Sequence, residues 1–149
     1  MLLLIALDRL FKDLAVKYLM PVGDVPVLKG VFRLNYVQNT GAAFGSFKNN
    51  TLILIVFTSA IILCGLCFIF LKKLDNKVYY VCAVMLVSGG IGNLIDRIVN
   101  RFVIDYLEFL FIDFPVFNFA DILVTVSSFL LAFYLIYDIV RDNRNKKQE

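Results

Sequence analysis

The sequence contains no histidine and no tryptophan, and only three cysteines and three prolines. The lack of histidine excludes Ser-His-Asp and Cys-His catalysis, histidine-bearing zinc sites, and haem held by a histidine. Charged residues make up 18% of the chain, against about 25% in soluble domains. The net charge of +3 is too small, and too scattered, to indicate a nucleic-acid partner.

The three cysteines give no signal of a metal site or a structural disulfide. Cys64, Cys67 and Cys82 all lie inside apolar runs, and none falls in an aqueous loop. Cys64 and Cys67 form a C-x-x-C pair, but without further Cys or His this pair cannot fill a zinc site. We interpret all three as small apolar residues that face lipid or other helices, and we predict no metal and no cofactor.

What the chain has in excess is apolar surface. Hydrophobic residues account for 60% of its 149 positions, and 15 of these are Phe; the mean hydropathy is +0.81. Soluble proteins carry about 45–50% apolar residues. Too little polar surface remains to cover a globule of this size, so lipid must cover much of it. The length fits one domain, and we predict a single integral membrane domain over 1–149.

Three stretches are long and apolar enough to cross a bilayer, namely 52–71, 78–97 and 119–138. The first has no charged residue, and its 20 residues would span about 30 Å as a helix, the thickness of the hydrocarbon core. We predict a transmembrane helix over each stretch.

The first segment, 2–20, is rich in Leu but carries five charged residues. Asp8 and Lys12 stand four positions apart and therefore share one helix face. Such a pair can face the interior of a bundle while the Leu-rich side faces lipid. We predict a fourth transmembrane helix here; an amphipathic helix lying on the membrane surface is the alternative.

Loop charges predict the orientation. The 72–77 loop holds three Lys, and the C-terminal tail is also basic, with Arg141, Arg144, Lys146 and Lys147. Basic loops stay in the cytoplasm. With four spans, both termini are then cytoplasmic, and the loops 21–51 and 98–118 lie outside.

The outer loops have structure of their own. In 31–37, apolar and polar residues alternate as in a half-buried strand, and the Lys29-Gly30 pair is placed to turn it back on 25–28. This pattern predicts a small β-ribbon. The stretch 102–112 is apolar with two acids, and we predict a short interfacial helix there. The predicted fold is an all-α membrane protein of four helices with this ribbon outside.

Ionisable groups at membrane depth are costly and usually functional. Asp105 and Asp121 are both predicted near the outer surface, and two close carboxylates can share one proton and activate water. Asp121 is near a helix start, which favours its anion, whereas apolar neighbours favour the protonated form of Asp105. The structural alternative for Asp121 is that it only balances the helix dipole, with Asn118 as N-cap. The structural alternative for Asp105 is that it is a solvated loop acid.

Two further charged pairs are interpreted as structural. Asp96 is expected to offset its neighbour Arg97. Asp8 is expected to pair with Lys12, either as a structural ion pair or as a tether for the nearby site. Two other classes of function remain open. One is a small transporter or channel subunit with Asp8, Asp105 and Asp121 as a proton or ion relay, and the other is a structural subunit of a membrane assembly. Repeated halves and broken helices, which are typical of transporters, are not found.

Five segments, taken in order, resemble one family. They are DRLFK at 8–12, NTGAAFG at 39–45, GGIGNLIDR at 89–97, FVIDYL at 102–107 and PVFNFAD at 115–121. Each alone is weak, but together they resemble the lipoprotein signal peptidases (signal peptidase II). The chain departs from that family in its short first helix and in Arg9, which stands where the family usually has Gln.

The resemblance implies a bacterial aspartic endopeptidase of the cytoplasmic membrane, with its active site near the outer face. It implies removal of the signal peptide from diacylglyceryl-modified prolipoproteins, with the cut just before the lipidated Cys. Catalytic roles fall on Asp105 and Asp121. Supporting roles in the site fall on Asp8, Lys12, Asn39, Asn93, Arg97 and Asn118. The implied fold is a four-helix bundle with an extracytoplasmic β-cradle and a surface helix. We expect a monomer whose partners are the prolipoprotein and membrane lipid.

Overall fold

The computed structural model describes residues 1–41, 50–71 and 76–145. Its elements, in chain order, are α1 (Leu2–Leu14) with a π-helical continuation (Ala15–Leu19), β1 (Asp24–Leu28), β2 (Phe32–Asn39), α2 (Thr51–Leu71), α3 (Lys77–Asn100), β3 (Val103–Phe109) and α4 (Phe119–Asn145). Some residues used above lie outside the described ranges: 42–45 of the second motif, and Lys72, Lys73, Lys146 and Lys147 of the basic segments.

The helices α2, α3 and α4 coincide with the three apolar stretches, and each is long and apolar enough to cross a membrane. Helix α2 is apolar around its whole circumference, and large side chains such as Phe57, Leu63 and Phe70 are exposed on the protein surface. A helix with no polar face is suited to lipid rather than water. The three predicted spans are therefore confirmed as candidate spans.

Helix α1 is different because it is amphipathic. Its Leu2 and Leu3 are exposed, whereas Asp8 and Lys12 are buried against α3 and α4. Within the described residues, α1 is not among the helices that meet the length and hydropathy of a span. A fourth span over 2–20 stays a prediction.

The helices α3 and α4 approach closely because α3 presents glycine at their contact. A Cβ atom on Gly89 would lie 2.5 Å from the carbonyl oxygen of Ala120 and 2.9 Å from the side chain of Val124. A Cβ on Gly92 would overlap the carboxylate of Asp8. Small residues at such contacts let helix backbones pack closely in membranes, so α1 and α4 can both lie against one face of α3.

The predicted β-ribbon is present and is one strand larger than expected. Strands β1 and β2 form an antiparallel hairpin with Val25 opposite Leu34. Strand β3 pairs antiparallel with β2, with Asp105 opposite Val37 and a bulge in β2 between Leu34 and Val37. The result is a three-stranded sheet in the order β1-β2-β3.

The predicted interfacial helix over 102–112 is wrong, because 103–109 of this stretch forms β3. β-Branched and aromatic residues favour a strand, and β2 offers a partner whose backbone groups would otherwise be unpaired. The two acids divide between the faces, since Asp105 and Glu108 stand three positions apart. Ile104 and Tyr106 pack with Ala15 and Leu19 in a small core between the sheet and the end of the first helical segment.

After β3 the chain turns back and runs antiparallel to β3 before α4 begins. Leu107 and Phe117 exchange two backbone hydrogen bonds of 2.8 and 2.9 Å. The hydroxyl of Tyr106 accepts a third from the backbone N–H of Phe119, at 3.2 Å. These bonds hold the start of α4 beside β3, so the residues just before and inside its first turn face Asp105.

Gly89→Ala should destabilise the protein, because the added methyl would meet backbone that cannot move without separating α3 from α4. Overpacking of this kind costs about 1–3 kcal/mol. The adjacent variant, Gly90→Ala, is the matched control, since its Cβ would lie 3.2 Å from the flexible side chain of Ile62. Thermal unfolding in detergent should show a clearly lower Tm for Gly89→Ala than for Gly90→Ala. Equal Tm values would contradict this account of the helix contact.

Candidate active site

The two acids singled out in the sequence lie together where β3 meets the start of α4. Asn118 contacts both: its side-chain amide donates to Oδ1 of Asp105 at 2.6 Å, and its backbone N–H donates to Oδ2 of Asp121 at 3.1 Å. Asp105 is only 1% exposed, whereas Asp121 is half-buried. One buried residue thus bridges two carboxylates that are 16 positions apart in the chain.

Asn118 and Asp121 also cap α4. The side-chain oxygen of Asn118 accepts from the backbone N–H of Asp121 at 2.9 Å, and Asp121 returns a bond to the Asn118 backbone. This reciprocal pair is a capping box. The structural alternative, in which Asn118 caps α4 next to Asp121, is therefore confirmed. The cap occupies only Oδ2 of Asp121, so Oδ1 remains available to another partner.

Two more asparagines complete the hydrogen bonds of the acids. Asn93 on α3 donates to Oδ1 of Asp121 at 2.7 Å, and Asn39 at the end of β2 donates to Oδ2 of Asp105 at 2.9 Å. Each of the four carboxylate oxygens therefore accepts one N–H. Such a set of donors holds both carboxyl groups in fixed orientations.

Behind the acids lies a buried cluster of charges, centred on Lys12. Its ammonium nitrogen is 2.8 Å from Asp8, 3.0 Å from Asp96 and 2.9 Å from the amide oxygen of Asn93. The Asp8 contact is an ion pair rather than an aligned hydrogen bond. The other oxygen of Asp8 accepts from the backbone N–H of Ala120 at 3.1 Å, which ties α1 to the first turn of α4.

Asp96 pairs with residues that sequence reasoning did not assign to it. It accepts from Arg9 at 2.6 Å and also pairs with Lys12. The contacts described contain no direct Asp96–Arg97 pair, although the charge of Asp96 still acts on Arg97. Neighbouring residues on a helix point in different directions. The guanidinium of Arg97 instead donates to the carbonyl of Gly41 at 3.1 Å. An acid in an apolar helix requires a cationic partner. In the sequence, this requirement was the only indication that Asp96 would contact a residue such as Arg9.

Two cavities open on either side of Asp121. The loop-side cavity, of about 260 Å³, lies between Asp105, Asp121 and the segment around Phe114. The helix-side cavity, of about 320 Å³, lies between α2, α3 and α4. Both are lined by Asn93, Arg97, Asp121 and Val124. An extended peptide that occupied both cavities would therefore pass next to Asp121. Over 1–41, 50–71 and 76–145, no three or more Cys, Asp or Glu side chains are grouped to hold a metal ion.

The electrostatics make Asp105 an unusual acid. Burial, and after it the charge of Asp121, raise the pKa of Asp105 to about 7, although the amides of Asn39 and Asn118 and the charge of Lys12 act in the opposite direction. A carboxyl group that holds its proton near neutral pH can donate a hydrogen bond to a substrate oxygen. The neighbouring Asp121 provides a second carboxyl with a different environment.

The sequence matches the family of signal peptidase (SPase) II over residues 1–137. It is 43% identical over 134 residues to the lipoprotein signal peptidase of Caldanaerobacter subterraneus subsp. tengcongensis, covering 88% of this chain and 89% of that relative. The chain belongs to the signal peptidase II family. The corresponding enzyme of Clostridium tetani is 42% identical over 135 residues, which cover 89% of this chain and 86% of that one.

Two solved structures, each described as a bacterial membrane enzyme, share the fold. One superposes with a TM-score of 0.83 over 93% of this chain and 85% of its own, at 24% identity. The other has a TM-score of 0.78 over 92% and 90%, at 25% identity. Signal peptidase II membership makes this chain a peptidase that acts in lipoprotein processing, and with its apolar helices a multi-pass membrane protein. The alternative of a transporter subunit is not supported by these relatives.

The raised pKa of Asp105 predicts how stability depends on pH. In the folded protein this carboxyl holds its proton up to about pH 7, whereas in the unfolded chain it releases the proton above about pH 4. Its contribution to stability is therefore full below pH 4 and is lost as the pH rises towards 7. Relative to Asp105→Asn, the wild type should lose stability between pH 4 and pH 8, by a few kcal/mol at most.

Thermal unfolding of both proteins in detergent at several pH values checks this expectation. Asp113→Asn, in the exposed loop after β3, is the matched control, and its difference from wild type should stay nearly constant. Parallel curves for wild type and Asp105→Asn across this range would show that the buried carboxyl does not hold a proton.

Proposed function

We propose that this chain is an aspartic endopeptidase that removes the signal peptide from diacylglyceryl-modified prolipoproteins, cutting just before the lipidated Cys. The observation that carries the proposal is the pair Asp105 and Asp121, bridged by Asn118 and open to two cavities. The chain's relatives in Caldanaerobacter subterraneus and Clostridium tetani are lipoprotein signal peptidases, which supports this class of substrate.

The two acids take different roles. Asp121, at the N-terminus of α4 where the helix dipole favours an anion, removes a proton from water as the water oxygen attacks the scissile carbonyl carbon. Asp105 donates its proton to the carbonyl oxygen, which gives a tetrahedral diol. When this collapses, the C–N bond breaks, the amine leaves with the proton held by Asp121, and Asp105 recovers its own from the diol. No covalent enzyme intermediate forms, and no cofactor is required.

The proposed placement in the membrane follows from charge and burial. The basic 72–77 loop and C-terminal tail set the cytoplasmic side, so the sheet and the acids lie at the outer face of the cytoplasmic membrane. Asp8 and Lys12 of α1 are buried against α3 and α4, while Leu2 and Leu3 are exposed. This arrangement supports α1 as a fourth span whose polar face is turned into the bundle, with both termini cytoplasmic.

The cavities suit a substrate that remains anchored in lipid. The acyl chains of a lipidated Cys stay in the outer leaflet, so the peptide has to reach the acids from the side. The loop-side cavity has an apolar wall of Phe114, Pro115 and Val116 next to Asp105. The helix-side cavity borders α2 at Thr58, Ile61 and Ile62, and α2 carries no charged residue. We place the lipidated residue at the loop side and the apolar signal peptide at the helix side.

Asp105→Asn and Asp121→Asn should each abolish cleavage while the protein still folds. Asn keeps the shape of the side chain and, at position 121, an oxygen that can accept from the Asn118 backbone and preserve the cap. We expect cleavage of a diacylglyceryl lipopeptide in detergent to fall by several orders of magnitude while a cooperative thermal unfolding transition is retained; the amide nitrogen of each new Asn faces one of the N–H donors, so one hydrogen bond of the site is lost. Asp113→Asn, the exposed loop variant, should retain activity. Turnover close to wild type in either dyad variant would remove that residue from the mechanism.

Removal of the lipid from the substrate should slow cleavage much more than shortening of its acyl chains. An acyl chain already in the bilayer gains little free energy by moving to the protein, so its main effect is to hold the scissile bond level with the two acids. A peptide of the same sequence without lipid should be cut far more slowly even at saturating concentration. Lipopeptides with acyl chains a few carbons shorter should be cut at nearly the normal rate while they remain anchored. Equal rates with and without lipid would instead indicate recognition of the peptide sequence alone.

A further inference from the structure

The turn between β1 and β2 and the segment after β3 together form an exposed apolar surface, which we call the apolar tip. The backbone N–H of Leu110 donates to the carbonyl of Val31 at 2.9 Å, so the two loops lie side by side. The ring of Phe109 packs against both, with centroids 6.0 Å from Phe32 and 5.5 Å from Phe111. The large side chains of the tip are each 39–61% exposed. They are Leu28, Val31, Leu110, Phe111, Ile112 and Phe114.

The composition of the tip indicates an apolar partner. A contiguous group of large exposed apolar side chains marks contact with a membrane or with another protein. The loops 29–31 and 110–116 carry one charged residue each, Lys29 and Asp113, and these offset one another. The tip therefore presents no net charge by which a charged partner would recognise it.

The anchors of β3 show at which level of the helix bundle the tip lies. The backbone N–H of Ile104 donates to Asp96 at 3.2 Å, and Asp96 stands four residues, about 6 Å, before the end of α3. Further along the strand, Leu107 lines a small apolar cavity with Phe11 of α1 and with Phe119, the first residue of α4. Strand β3 therefore crosses the bundle at the level where α4 begins, and not above the ends of the helices.

The first helical segment continues well past this level. Phe11 precedes the end of the segment at Leu19 by eight residues, or about 12 Å. The chain turns into β1 only there, with the backbone N–H of Gly23 bonded to the carbonyl of Leu19 at 2.9 Å. Asp24, which opens β1, therefore lies on the outer side of the sheet, whereas the tip follows Leu107 at the level of the acids.

We infer that the apolar tip is embedded in the lipid of the outer leaflet, beside the helix bundle. The inference rests on the membrane placement given under the proposed function and deepens it, because it supplies a route for the substrate. Phe114 belongs both to the tip and to the wall of the loop-side cavity. A lipidated residue then passes from the leaflet to the acids along a continuous apolar surface, without crossing water.

The position of the tip favours lipid over a second protein. At the level of the acids, the neighbouring surface of the bundle includes exposed apolar side chains of α1 and α2, such as Leu10, Leu14 and Phe57. The tip continues that surface sideways. Its two charged residues suit a shallow position, since the long side chain of Lys29 can reach the headgroups and Asp113 is exposed at the turn.

The test uses the lack of tryptophan in this chain, because one substitution then gives a single indole emission. Phe111→Trp places the indole in the tip. Phe57→Trp, on the exposed surface of α2, is the reference for contact with lipid, and Asp24→Trp, at an exposed position, is the reference for contact with water. Each full-length variant is reconstituted into vesicles whose phospholipids carry bromine at a shallow or a deep carbon of the acyl chain.

We expect shallow bromine to quench the emission of Phe111→Trp to about the extent seen for Phe57→Trp. Deep bromine should quench it less, because apolar segments of this kind lie only about 5–10 Å into the boundary between headgroups and acyl chains. Iodide in the aqueous phase should quench Asp24→Trp strongly and leave Phe111→Trp nearly unchanged.

Quenching of Phe111→Trp by iodide to the extent seen for Asp24→Trp would overturn the inference. Protection from both bromine and iodide would overturn it as well, because protein, such as a second copy of this chain, would then cover the tip. If Phe111→Trp does not fold, Ile112→Trp is measured by the same criteria. The fluorescence does not depend on cleavage, so an inactive wild type would refute the proposed function and leave this measurement valid.

Discussion

The ammonium group of Lys12 has no contact with solvent and is surrounded by oxygens from Asp8, Asp96 and Asn93. A buried charge left without partners costs several kcal/mol. These oxygens come from α1 and α3, and Asp8 also accepts from the first turn of α4. The packing of three helices is thus constrained by this buried cluster, to which Arg9 adds a second cation through Asp96. Gly92 is required because any side chain there would displace Asp8.

The two acids are connected to this cluster indirectly, through Asn93, which contacts both Lys12 and Asp121. Their carboxylates do not meet Lys12 directly but receive their donors through asparagines, which are neutral and so do not fix the charge on either acid. The pKa of Asp105 can then be raised to about 7 by burial and by Asp121, while Asp121 benefits from the helix N-terminus. A cation in direct contact would hold both acids ionised, and the proposed mechanism needs one of them protonated.

Much of this molecule could be predicted from residues alone, for identifiable reasons. Helices α2, α3 and α4 are clear from hydropathy because lipid imposes length and composition together. The β1–β2 hairpin follows from alternation and a turn. Strand β3 was missed because Leu107, Phe109 and their neighbours are apolar on both faces, which hides the period of two. The Arg9–Asp96 contact joins residues 87 positions apart. Asn118 could be identified from its N-cap position before α4, whereas Asn39 and Asn93 were identified as site residues only through the family resemblance.

The segment between β3 and α4 joins the two halves of the site. Its pairing of Leu107 with Phe117 sets the distance from Asp105 to the start of α4. Phe109 packs on Phe114 and Phe117, with ring centroids 6.2 and 5.1 Å apart, and Phe114 forms a wall of the loop-side cavity. The residues that would touch the substrate's lipidated end are therefore packed on the residues that align the two acids. Under the proposed function, a substrate that displaces this wall also moves α4 relative to β3, so correct seating of the lipidated residue and alignment of the acids are one structural event.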